Sequence, residues 1–109
     1  MANHDTDVVL FLTTVPVELD VEAAVRPLLE ARLAACVSVL PPMRSLYRWQ
    51  GAVEVTDERQ VIVKTTRARL AAVQAALLGR HPYEVPECLV LAVAGGGEAY
   101  LEWLRAETT

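Results

Sequence analysis

The chain has 109 residues, a formal net charge of −4 and a hydrophobic share of 53%. That length holds one core rather than two, and that apolar share excludes a disordered chain. Ten Lys and Arg, scattered against fourteen Asp and Glu, argue against a nucleic-acid surface. No apolar run approaches the roughly 20 residues of a membrane span, and no basic-then-apolar leader opens the chain, so the cytoplasm is the expected compartment. Cys36 and Cys88 are too few and too far apart for a disulfide framework or a zinc knuckle, and read as reduced core thiols.

In chain order, residues 1–7 read as a frayed polar tail and residues 8–109 as one domain. His4 with Asp5 and Asp7 offers only a weak, nonspecific grip on ions. Val8 to Leu12 is a continuous apolar run, expected as a central strand covered on both faces or at an interface. Glu18, Asp20 and Glu22 open a helix whose stripe is Val21, Ala24, Val25, Leu28 and Leu29, with a kink or break expected at Pro27. A second strand starts at Ala34, is disturbed at Pro41-Pro42 and continues from Met43 to Trp49. Gln50-Gly51 is a tight turn, and the return strand runs from Ala52 to Thr66. Thr66 is placed to cap a helix carrying Leu70, Val73, Ala76 and Leu77, which Gly79 ends. Cys88 to Val93 reads as a buried strand. Gly95-Gly96-Gly97 precedes a short helix, Glu98 to Ala106.

Strand, helix, strand, strand, helix, strand and a short C-terminal helix make an α+β, ferredoxin-like sandwich, βαββαβ. Hairpin arms of about 13 residues extend on the order of 40 Å. A chain of this length has a radius of gyration near 13 Å, so the ribbon overhangs and carries Met43, Leu46, Tyr47 and Trp49 outward. Exposed strand edges and aromatics of this kind call for self-association.

The segment His81-Pro82-Tyr83-Glu84-Val85-Pro86-Glu87 carries the densest chemistry. Its two prolines stiffen the backbone and hold an imidazole, a phenol and two carboxylates in place. His81 reads either as a Cu²⁺ or Zn²⁺ ligand or as a helix-end residue bonding a carbonyl. Cys36 reads as a Cu(I)-type ligand or as core. Glu84 and Glu87 would complete a mixed metal shell or pair with Arg44 or Arg48 across a subunit boundary. Lys64, the only lysine, needs a carboxylate or anion at a cleft, with Glu84 as the expected partner. Tyr83, Tyr47 and Trp49 read as interface wedges.

Several blocks resemble the CutA family of divalent-cation tolerance proteins. They are Arg32-Leu33-Ala34-Ala35-Cys36-Val37, Ser45-Leu46-Tyr47-Arg48-Trp49-Gln50-Gly51, Ile62-Val63-Lys64-Thr65-Thr66, the His81 to Glu87 segment, and Tyr100-Leu101-Glu102-Trp103-Leu104. The resemblance spans nearly all of Val8 to Arg105. It implies a ferredoxin-like fold, a homotrimer with the architecture of PII-type signalling proteins, no catalytic reaction, and a link to copper and other divalent ions. Thr13 and Arg80 stand where some bacterial members carry a cysteine and a second histidine, and Ser38 where asparagine is common.

Three readings follow. The first is a non-enzymatic homotrimer of divalent-metal tolerance that binds Cu²⁺ weakly through His81, Cys36 and Glu84 and requires no cofactor. The second is a PII-like trimer that takes a small ligand or protein in inter-subunit clefts lined by Lys64, Tyr83 and Glu84. The third is a small hydrolase or isomerase with His81 and Glu84 as acid and base.

Overall fold

The computed structural model describes residues 6–109, so His4, Asp5 and most of the expected tail lie outside the described residues. Thr6 and Asp7 are already tied down. The Thr6 amide and hydroxyl both donate to the Val93 carbonyl, at 2.9 and 2.8 Å, and Arg105 Nε pairs with Asp7 Oδ1 at 2.7 Å.

Five strands and three helices follow. They are β1 (Val8–Pro16), α1 (Val21–Glu30), β2 (Cys36–Val39), β3 (Met43–Trp49), β4 (Ala52–Thr66), α2 (Arg67–Leu78), β5 (Leu89–Ala92) and α3 (Glu98–Glu107). All pairings are antiparallel, in the order β2-β4-β1-β5, and β3 continues along β4 beyond β2. This is the expected ferredoxin-like sheet, with β2 and β3 acting as one strand interrupted at Pro41-Pro42.

Local chemistry explains the boundaries. Asp20 Oδ1 accepts the Ala23 amide at 3.2 Å and starts α1. Of the kink or break expected at Pro27, the break does not occur. Pro27 sits in the last turn, where only one backbone hydrogen bond is forfeited, and α1 continues to Glu30. The helix ends in a Schellman turn: Arg32 takes φ +59°, its amide donates to Leu29 O at 3.1 Å, and the Leu33 amide donates to Leu28 O at 2.8 Å. Thr66 occupies the position before α2, but its hydroxyl makes no capping bond. At the hairpin tip Gln50 (φ +50°) and Gly51 (φ +83°) form the two left-handed positions of a type I′ turn.

Alternation divides the sheet. Phe11 and Val15 of β1, with Val61 and Val63 of β4, face α1 and α2 and join Val21, Val25, Leu28, Ala34 and Val73 in the core. One residue out of step, Leu10, Leu12, Ile62 and Lys64 face the other way and are only half-buried. Helix α3 closes one end of the sheet. Tyr100, in its first turn, reaches Lys64 on the open face, while its C-terminal carbonyls accept bonds from Arg32 and Arg69 beside the other helices.

One expectation fails here. The segment around Cys88 was expected to be a buried strand, yet all of β5 is exposed, Leu89 by 54% and Leu91 by 47%, and Cys88 is exposed too. Among the described residues β5 pairs with β1 alone, as an edge strand, and its side chains stay exposed. The hairpin overhang is present: Leu46 is 67% exposed, and the radius of gyration is 15.1 Å against about 13 Å for a compact chain of this length.

Candidate functional site

The His81 segment is pinned onto one end of the sheet. β5 covers β1 only from Val9 to Leu12, which leaves the Thr14 carbonyl open on that edge. His81 Nε2 takes it at 2.7 Å, and the Tyr83 amide donates to His81 Nδ1 at 3.1 Å. Both contacts are satisfied by the tautomer with its proton on Nε2, so each ring nitrogen is engaged with backbone. The two rings lie 4.8 Å apart at 51°.

Tyr83 extends the anchor. Its hydroxyl donates to Glu58 Oε2 at 3.0 Å, and Glu58 is only 8% exposed. Burial, reinforced by the bond to Glu58 and its charge, pushes the Tyr83 phenol well above the usual tyrosine range. The Gln60 amide bridges Glu87 Oε2 at 2.7 Å and Thr13 O at 2.9 Å. Glu58 and Gln60 share a face of β4, so one strand receives both ends of the proline-bounded segment.

Between this segment and the root of the hairpin lies a cleft of about 780 Å³, with Tyr47, Trp49, Tyr83, Glu58, Glu84 and Glu87 in its walls. Tyr47 is held within its own hairpin by a 2.8 Å hydroxyl contact with Thr56 Oγ1. Trp49 is 37% exposed at the mouth.

The other candidate residues lie elsewhere. Lys64 does not pair with Glu84 as expected. Its ammonium donates to the Tyr100 hydroxyl at 3.3 Å, 5.6 Å from the ring centroid. That bond leads the effects holding its pKa above the ordinary lysine value. The reason is register: Lys64 lies opposite Leu10, whereas the His81 segment sits at Thr14, four residues along β1 or about 13 Å. Cys36 is opposite Lys64 on β2, two strands away from β1, with Ser38 Oγ 3.9 Å from its sulfur. His81 and Cys36 therefore do not meet within one chain. Glu84 is exposed, and Glu87 is bonded to Gln60 rather than to an arginine of its own chain. Among the described residues no three His, Cys, Asp or Glu side chains stand close enough together to hold a metal ion.

Sequence reasoning missed Glu58 and Tyr100. Strand alternation places Glu58 on the face of Gln60, Ile62 and Lys64, a signal that was available. Nothing local points from Tyr100 to Lys64.

The match to known proteins is extensive. A family model described as CutA1 divalent ion tolerance protein matches residues 9–107. The chain belongs to that family. It is 44% identical over 100 residues to the divalent-cation tolerance protein CutA of Pectobacterium atrosepticum, covering 92% of this chain and 91% of that one. Its fold superposes with a TM-score of 0.88 on CutA from Xylella fastidiosa, at 39% identity, covering 95% of this chain and all of that one. CutA from Synechococcus elongatus gives 0.86 at 43% identity, covering 96% and 94%. In this CutA1 chain the His81 segment and the hairpin are linked by the Tyr83–Glu58 bond and share the walls of one cleft.

Proposed function

We propose that the protein serves divalent-cation tolerance as a non-enzymatic homotrimer, and that it works through the clefts beneath its hairpins rather than as a metal carrier. The observation that carries this is the open face of the sheet. Leu10, Leu12, Ile62, Leu89 and Leu91 form an apolar surface on paired strands, and β5 leaves a free edge beside it. Such a surface and edge favour pairing with further copies of the chain. Leu89 and Leu91 are about half exposed, so covering them fully is worth about half of the usual leucine value, on the order of 1 kcal/mol each.

The geometry of His81 supports the non-catalytic reading. An imidazole with both nitrogens on backbone groups has no lone pair free to take a substrate proton or to enter a metal shell. A Cu²⁺ contact at His81 then requires the Thr14 or Tyr83 bond to open, which makes it weak, and Cys36 is too distant in the same chain to help. Two free thiols, Cys36 and Cys88, fit residence in a reducing cytoplasm.

Two measurements test this reading. Light scattering on the purified protein is expected to give three chains per particle, and a monomer would overturn the assembly. Calorimetric titration with Cu²⁺, run beside His81→Ala, is expected to show weak binding that the substitution barely alters. Tight whole-number binding lost in His81→Ala would restore the metal reading.

A further inference from the structure

We propose that the cleft beneath the hairpin receives an organic cation, a guanidinium or alkylammonium group held by Glu58 with its hydrocarbon body against Tyr47, Trp49 and Tyr83. The inference rests on the cleft reading above and assigns the chemistry of what the cleft takes.

Glu58 is the central observation. The residue is more than nine-tenths buried, and it lines an open cleft. Among the described residues the Tyr83 hydroxyl alone bonds it, at Oε2. Among the described residues no hydrogen bond reaches Oε1 and no ion pair includes Glu58. A buried charge without a counter-charge is costly, and an incoming cation repays that cost. The walls supply no competitor: they contain neither Lys nor Arg, and Glu84 and Glu87 add to the same sign of field.

The shape of the site selects the kind of cation. A bare metal ion needs several oxygen or nitrogen ligands converging at about 2.0–2.6 Å. No three such side chains converge among the described residues. A guanidinium is several ångströms wide, forms paired hydrogen bonds with one carboxylate and stacks on aromatic faces. Tyr47, Trp49 and Tyr83 provide those faces, and a desolvated cation over a ring is stabilised by its quadrupole. Tyr83 donates to one oxygen of Glu58 and leaves the other for the ligand.

The same cation has two possible sources, a free small molecule or an arginine of a second copy. Arg44 and Arg48 stand exposed on the hairpin for the second role. The test is calorimetry on the full chain with n-butylguanidinium, against n-butylurea as its neutral isostere, in wild type, Glu58→Gln and Arg44→Gln/Arg48→Gln. Glu58→Gln keeps the acceptor for Tyr83 and removes only the charge. Wild-type binding of butylguanidinium about ten-fold or more tighter than butylurea, lost in Glu58→Gln, establishes a free ligand, on the scale of one charge-assisted contact. Silence in wild type with binding appearing in the double arginine variant assigns the cation to the neighbouring copy. Equal binding of the two probes, full retention in Glu58→Gln, or silence in both wild type and the arginine variant overturns the proposal. Should Glu58→Gln not fold, the contrast between the two probes on the other two proteins decides alone. Light scattering on the same samples separates loss of the assembly, which sinks the functional reading, from loss of cation selectivity in an intact assembly, which sinks only this one.

Discussion

The two faces of the sheet are made by the same strands, and their residues differ by a single step in register. On the helix side Phe11 and Val63 are completely buried, while on the other side their neighbours Leu10, Leu12 and Ile62 are half-covered and Leu89 and Leu91 are open. A sheet with one solvated face shows polar residues there, but this open face carries Leu10, Leu12, Ile62, Leu89 and Leu91 beside its polar Gln60 and Lys64. The contrast separates two kinds of hydrophobic residue in one small chain. One kind packs inside the chain, and the other is surplus to that core and stays open in the single chain, the surface proposed above for contact between chains.

Substitutions on the two faces break the comparison in different ways. Phe11→Ala is expected to have the largest effect, lowering unfolding free energy by about 3–5 kcal/mol through lost burial and a cavity that the sheet cannot close. Urea melts measure it, and a loss below about 1 kcal/mol would mean that the helix-side core is not what holds the chain. Leu91→Glu leaves that core untouched. It is expected to keep native circular dichroism while light scattering shows the assembly falling apart. An unchanged particle mass would show that the open face is not the contact surface.

These faces were unequally legible in the sequence. The continuous run Val8 to Leu12 correctly signalled a central strand, since β1 lies between β4 and β5, but its second face, with Leu10 and Leu12, is only half-covered within the chain. The same logic made the segment after Cys88 look like core, and it failed because β5 is a short strand at the end of the sheet order, and a run of four apolar residues reads the same there as in a covered strand. At the candidate site, the stiffness of the His81 segment was readable from Pro82 and Pro86. What His81 binds was not, since that depends on β5 stopping short of Thr14, a matter of pairing register sixty-seven residues away along the chain. Lys64 illustrates the same limit, because its partner Tyr100 comes from a helix that wraps the far end of the sheet.

A smaller effect sharpens the contrast between the anchored segment and the open face. Tyr83 has its pKa raised by burial and by Glu58. Above the ordinary tyrosine value near 10, the unfolded chain loses this proton while the folded chain keeps it, so the unfolded state gains. The stabilising contact is therefore fully present below pH 10 and is lost as pH climbs beyond it. Stability measured by urea melts is expected to fall more steeply between about pH 10 and 11.5 in wild type than in Tyr83→Phe. Parallel profiles would show that the phenol is not held against Glu58 in solution.

The smallest expected change lies at the hairpin tip, where the overhanging ribbon is set by two residues. Gly51 has φ +83°, and a Cβ placed there meets nothing within 4 Å, so the cost of a side chain is conformational rather than steric contact with neighbours. Gly51→Ala is expected to lose about 1–2 kcal/mol, the usual penalty for an L-residue in the left-handed region. Gly51→Asn should lose less, because its short amide tolerates that region. If both variants lose the same amount, the left-handed backbone at position 51 is not what sets the tip. The type I′ turn would then not be what aims Tyr47 and Trp49 over the cleft.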